Sequence, residues 1–260
     1  MSHEPRIALL IDADNSPADM IDEVLDELAK EGVINIRRAY GNWKSPHLNA
    51  WAALLHDFAI QPIQQFDYTK GKNATDAAMI IDAMDLLYTK QLDGFGIVSS
   101  DSDFTPLVMR LRANGLQVYG FGEQKTPKPF VNACSKFLYL ENLRRPEETL
   151  AAVQTEAAAL TTPPGEISAA KPVPPRADAK TLRSDTRLVN LLRKAVEAAA
   201  DNEGWAGLGA VGQHISKQAS FDARNYGYAK LSGLFQAIGL FEVRTHSKHL
   251  QVRDPRATTH

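Results

Sequence analysis

The 260-residue chain has one cysteine, Cys134. An internal disulfide is therefore excluded, there is no second thiol for a zinc site, and a reducing compartment suits the chain. No apolar run approaches the roughly 20 residues that span a bilayer. The opening MSHEPRIALL enters a strand-like run without the layout of a signal peptide. A cytoplasmic protein without a membrane partner is the expectation. Seven histidines show no ligand spacing; His47 and His56 fall on one predicted helix, too far apart to share an ion. Neither sign of charge dominates, since the formal net charge is -2. The balance is uneven along the chain, however: residues 1–145 carry 15 basic against 19 acidic side chains, and residues 181–260 carry 11 against 7. That asymmetry points to metal or catalytic chemistry in the first part and contact with a polyanion in the last.

Short β-like runs alternate with helical patterns through the first 145 residues. RIALLID, VINIRRAY, AIQPIQQF, GFGIVSS, LQVYGFG and KFLYLEN read as strands. PADMIDEVLDELAKEG, PHLNAWAALLHDF, TDAAMIIDAMDLLYTK and DFTPLVMRLRANG carry apolar residues at helical spacing. Such alternation predicts an α/β fold, a parallel sheet with helices on both faces. Residues 146–181 form a Pro- and Ala-rich stretch expected to be a linker. From residue 182 to 260, three helical segments, the first capped by Ser184 or Asp185, precede the alternating run LFEVRTHSKHLQVRD. Three helices and a hairpin make a small winged-helix domain.

Ligands of open α/β sheets bind beyond the carboxyl ends of the strands. RIALLID delivers Asp12 to that edge, with Asp14 and Asn15 just past it, and GFGIVSS delivers Asp101 and Asp103. Asp76 lies in the first turn of a helix that starts at the same edge. Two like charges about 4 Å apart repel by on the order of 4 kcal/mol at an effective dielectric near 20, so a shared cation would stabilise the group. Oxygen ligands with no histidine or cysteine among them suit Mg²⁺ or Mn²⁺, which can activate water for attack on a phosphodiester. The small Ser99, Ser100 and Ser102 leave room for a substrate. Competing structural roles are open for two of these residues: Asp103 as a helix cap and Asp14 as a turn former. Asp82 and Asp85, mid-helix, read as a solvated face.

Together LLIDADN, KGKNATDAAMIIDAM, IVSSDSDFTPLVMRLRANGLQVYGFG and FVNACSKFLYLENL resemble the NYN domain, in the LabA-like branch of the PIN-like nuclease superfamily. The resemblance covers about residues 5–145. It implies a PIN-like (Rossmann-like) fold and a metal-dependent ribonuclease site at Asp12, Asp76, Asp101 and Asp103. Asn15 matches the family's post-strand Asn and Ser100 the position just before the strand-4 aspartate, and both are expected to bind substrate, although the family often has Gly where this chain has Ser100. WAGLGAVGQHISKQ, FDARNYGYAKLSGLFQAIGLFEV and HLQVRD resemble the OST-HTH/LOTUS domain, a winged helix associated with RNA.

An RNA partner requires cations for phosphates and aromatic faces for bases. In the C-terminal part Arg224, Tyr226 and Lys230 fall in one stretch, and Arg244 and Lys248 on the hairpin; Tyr228 reads as core. Near the acidic group, Lys72 could hold a phosphate, Arg38 lies on a strand that leads there, and Trp43 either stacks a base or caps the core. Two other readings compete with a ribonuclease. One is an adaptor that binds RNA without cleaving it. The other is a phosphatase of the haloacid dehalogenase type with Asp12 as nucleophile and Asp14 as acid, although the NS that follows does not fit that pattern. A homodimer, and a protein partner of the C-terminal domain, are left open.

Overall fold

The computed structural model describes residues 4–66, 74–89, 91–143, 176–201, 203–246 and 249–256. The first part is a six-stranded, wholly parallel sheet flanked by helices. Its elements run β1 (Arg6–Asp12), α1 (Ile21–Leu28), β2 (Val33–Gly41), α2 (Asn49–Leu54), β3 (Gln61–Gln64), α3 (Ala74–Thr89), β4 (Gly94–Val98), α4 (Thr105–Ala113), β5 (Gln117–Gly122), α5 (Lys128–Ala133) and β6 (Lys136–Tyr139). The strand order is β3-β2-β1-β4-β5-β6.

β1 is central, and every residue from Ile7 to Asp12 is buried. That is why its sequence is a continuous apolar run rather than an alternating one. Because side chains alternate across a strand, Ile7, Leu9 and Ile11 enter one core with Val24, Leu28 and Trp51. Ala8 and Leu10 enter the other, with Met79, Phe104, Leu107 and Phe130. Helices thus cover both faces. α4 starts with Pro106 in its first turn and is followed by Gly115 at φ +86°, a backbone conformation that suits glycine.

The order of the strands reverses between β1 and β4, where consecutive connections diverge to opposite sides of the sheet. A crevice opens at the carboxyl ends of these two strands, the usual ligand position in a sheet of this order.

The C-terminal domain comprises α6 (Ala179–Ser184), α7 (Thr186–Ala199), β7 (Ala206–Gly207), α8 (Leu208–Gln218), α9 (Leu231–Ile238), β8 (Glu242–His246) and β9 (His249–Arg253). Its antiparallel sheet has the order β7-β9-β8. Leu192, Val211, Leu234, Phe235, Ile238 and Val252 form its core. The cap of α7 is Asp185, whose carboxylate accepts the Leu188 N–H at 3.0 Å. Two elements, α6 and β7, go beyond the three helices and hairpin read from the sequence. Most of the expected linker lies outside the described residues; of its last part, Ala177 packs on the C-terminal core and α6 begins at Ala179.

Candidate active site at the carboxyl edge of the sheet

Asp12 ends β1 and is 0% exposed. Three hydrogen bonds hold its carboxylate: Asn15 Nδ2 donates to both oxygens, at 3.3 and 3.1 Å, and Ser99 Oγ donates to Oδ2 at 3.0 Å. Burial pushes the Asp12 carboxyl up to about 6; the bonds from Asn15 and Ser99 work against that rise, and the charges of Asp76 and Asp14 add to it. Asp76, in the first turn of α3 and 8% exposed, is also raised, by burial first and then by Asp101, Asp103 and Asp14. The four aspartates singled out by the sequence, with Asp14, therefore share one electrostatic neighbourhood built from three chain segments.

The connection after β4 is a relay of short contacts. Ser99 Oγ accepts the Asp101 N–H at 3.1 Å, and Asp101 Oδ1 accepts the Asp103 N–H at 2.8 Å. Asp101, not Asp103, is thus the cap of the turn Ser102–Phe104. Asp14 does more than shape a turn. It accepts the Asn42 N–H at 3.3 Å and the Thr75 hydroxyl at 2.9 Å, tying the ends of β1 and β2 to the start of α3. Ser99 is fully buried against Asp12, so it braces a carboxylate instead of leaving space for substrate. Ser100 does line the opening, and its Oγ accepts the Glu123 N–H at 2.9 Å.

A cleft of about 700 Å³ lies over these residues, with Asp14, Asn15, Ser100 and Asp101 on its walls. His47, in the short turn Pro46–Leu48, and Lys125, in the loop after β5, also line it; the sequence weighed His47 only as a metal ligand and gave Lys125 no motif. Lys125 is exposed and pairs with Glu123 at 2.5 Å. Behind the cleft, β5 approaches closely: a Cβ on Gly122 would stand 2.6 Å from the Ser99 carbonyl oxygen and 2.7 Å from Thr126 Oγ1. Gly122→Ala is expected to displace Ser99 and destabilise the protein by about 1–3 kcal/mol, read as a lower Tm.

Several sequence expectations are corrected here. Arg38 is not available to a substrate: its guanidinium donates to both oxygens of Asp82, at 2.5 and 2.7 Å, and the Tyr40 hydroxyl donates to the same carboxylate. Asp82 is consequently a partner in a half-buried polar cluster and not part of a solvated face. Trp43 caps the core, with its indole N–H donating to the Ile63 carbonyl at 3.1 Å. Arg224 and Tyr226 are also committed within the protein. Arg224 pairs with Glu27 and Asp222. Tyr226 stacks on Phe221 and packs on the C-terminal core. Arg244 lies over the Trp205 ring, 3.9 Å from its centroid, with Arg253 at 4.7 Å from the same ring. Lys230 is exposed at the start of α9. Lys72 and Lys248 lie outside the described residues.

No three His, Cys, Asp or Glu side chains among the described residues form a ready-made ligand group. The chemistry of the donors still fits a hard divalent cation. Asp12 is a buried carboxylate, and Asp76 is raised by burial and then by three acidic neighbours, so each gains from a neutralising charge.

A parallel sheet with flanking helices and aspartates converging at its switch point defines a PIN-like α/β protein. More particularly, the chain belongs to the NYN domain family, whose model matches residues 6–141, and it carries an OST-HTH/LOTUS domain, matched over residues 181–252. It is 32% identical over 130 residues to an uncharacterized protein of Methanocaldococcus jannaschii, a match covering 46% of this chain and 49% of that one. The chain thus spans about half the length of that curated relative. A crystal structure of a protein of unknown function from Vibrio parahaemolyticus aligns with a TM-score of 0.45 and 19% identity, over 54% of this chain and 94% of that one. Among the described residues, no helix is long and apolar enough to cross a membrane.

Proposed function

We infer that the chain is a metal-dependent ribonuclease that hydrolyses RNA phosphodiester bonds in the cleft at the ends of β1 and β4, with the C-terminal domain binding RNA. The observation that carries this reading is the cleft at the switch point of an NYN-family sheet, walled by Asp14 and Asp101, with the buried Asp12 bonded to Asn15 and Ser99 beside it. Asp12, Asp76, Asp101 and Asp103 would hold Mg²⁺ or Mn²⁺. Such an ion supplies charge stabilisation at the phosphoryl group and a more acidic water.

The chain's own groups do the positioning. Asn15, on the cleft wall, and Ser99 fix both oxygens of the buried Asp12 in one orientation. The Ser99–Asp101–Asp103 relay fixes the place of Asp101 on the cleft wall. Ser100, held by the Glu123 amide, and His47 and Lys125 on the cleft wall offer polar contacts to a phosphodiester. Held this way, the carboxylates need little rearrangement as charge develops in the reaction.

A phosphatase with Asp12 as nucleophile and Asp14 as acid is disfavoured. Asp12 is fully buried, and both Asp14 oxygens already accept hydrogen bonds. An adaptor that holds RNA without cutting it stays in competition, because the donors do not form a closed ligand group.

The test is cleavage of end-labelled single-stranded RNAs of varied sequence by the full chain with Mg²⁺ or Mn²⁺. Cleavage that stops on adding a chelator is expected. Intact RNA under all conditions, or cleavage indifferent to chelation, overturns the reading. RNA binding by the C-terminal domain has its own check. Replacing Lys230 and Arg244 by glutamate is expected to weaken RNA affinity and to reduce the salt slope by about one unit for each phosphate no longer neutralised.

A further inference from the structure

The stretch FDARNYGY offers a cation and aromatic rings of the kind RNA binds, yet its rings pack in their own domain and its cation is spent on the other. Arg224 Nη1 and Nη2 donate to the two carboxylate oxygens of Glu27, at 2.9 and 2.7 Å, in a two-pronged pair across 197 residues. Asp222 holds the same guanidinium from behind, with Nε at 3.0 Å and Nη2 at 2.8 Å. Glu27, at the end of α1, is only 4% exposed and also receives Lys30 and Lys136. A buried carboxylate demands such partners, and the forked geometry fixes direction as well as distance.

The neighbouring Asn225 makes a second contact of a different kind. β6 is an edge strand, bonded on one side to β5. On its other side the Asn225 amide donates to the Phe137 carbonyl at 2.9 Å, and its oxygen accepts the Tyr139 N–H at 3.3 Å. One side chain therefore does for two backbone groups what a further strand would do, and covers an edge that would otherwise be open to pairing.

We propose that Glu27 and the outer edge of β6 form a seat for the chain's own winged-helix domain, and that Arg224 and Asn225 are positioning residues that hold RNA bound by that domain at a fixed place relative to the cleft. The functional half of this proposal rests on the ribonuclease reading; the seat itself does not. With the domain seated, RNA bound at one site is presented to the other at an effective concentration set by geometry rather than by tether length.

The test uses the full chain, with Glu27→Arg, Arg224→Glu and the double exchange. In small-angle scattering each single reversal is expected to raise the radius of gyration by about 3 Å or more, and the double exchange to restore it. Circular dichroism checks that both domains remain folded. Because Arg224→Glu also confronts Asp222, and Glu27→Arg also confronts Lys30 and Lys136, Asn225→Ala, which removes only the two bonds to β6, serves as the independent variant and is expected to raise the radius as well. A radius unchanged in Glu27→Arg, or a double exchange that fails to recompact, overturns the seat.

In cleavage assays Glu27→Arg is expected to raise KM roughly tenfold for an RNA long enough to reach both domains. It should leave kcat, and the KM for a short oligonucleotide, unchanged. An equal loss on both substrates overturns the positioning role. If the wild-type chain cuts no RNA, the ribonuclease reading falls, and the scattering result still decides the seat.

Discussion

Asp101→Asn in the full chain is expected to lower the kcat of RNA cleavage by about 10³-fold and to leave the folded state intact. Asparagine has the size of aspartate and keeps an oxygen that can accept the Asp103 N–H, now at 2.8 Å. The turn Ser102–Phe104 therefore stays capped while one negative charge leaves the cleft. Asp101 also faces Asp76, whose carboxyl it helps to raise, so its charge belongs to the group that would hold a cation. Chelator-sensitive cleavage in wild type, its loss in Asp101→Asn, and a matching circular dichroism spectrum and Tm are the expected set. RNA affinity should change far less than kcat. If wild type binds RNA without cutting it and Asp101→Asn leaves that binding unaltered, the adaptor reading holds instead.

What was legible in the sequence, and what was not, divides by the range of the interaction. β1 could be read because a central parallel strand must be apolar on both faces, and Ile7 to Ile11 are. α4 could be read because Pro106 and Gly115 mark its ends locally. Asp12 and Asp101 were legible because each follows an apolar run, and the end of a strand is a place in space as well as in sequence. Arg38 and Arg224 were misread as free groups for RNA, and of the two roles left open for Trp43 the core-capping one holds. Residue type gives charge and shape but not partners. Those partners, Asp82, Ile63 and Glu27, lie 44, 20 and 197 residues away and are fixed only by tertiary structure. The same holds for Asp14, whose bond to Thr75 spans 61 residues.

These misreadings share a physical cause. A folded chain rarely leaves a half-buried cation or indole N–H unsatisfied, so the groups a sequence offers to a ligand are first claimed by the protein itself. What escapes that claim is more telling. Asp12 and Asp76 sit in a burial and charge environment that opposes their ionisation, and nothing cationic among the described partners relieves it. Asn15 and Ser99 supply hydrogen bonds that lower the cost without removing it. Sites kept in that condition tend to be functional, because stability alone would favour replacing them.

Asp12→Asn should therefore stabilise the metal-free protein while destroying its activity. The Asp12 carboxyl stands at about 6 in the folded protein against an ordinary 3.8, so the folded state holds its proton more tightly than the unfolded state does. The stability gained from that proton is fully present below pH 3.8 and is lost as pH rises through 6. Above that window the ionised, buried carboxylate carries a penalty of about 3 kcal/mol, which asparagine does not. In chelator at pH 8, Asp12→Asn is expected to unfold at higher temperature or denaturant concentration than wild type, with the difference closing toward pH 4. Adding Mg²⁺ or Mn²⁺ should raise the stability of wild type and leave the variant nearly unmoved, since a ligand stabilises only the state that binds it. A variant that is less stable than wild type at pH 8 in chelator, or that gains as much from the metal, would show that Asp12 is neither strained by its burial nor part of a cation site.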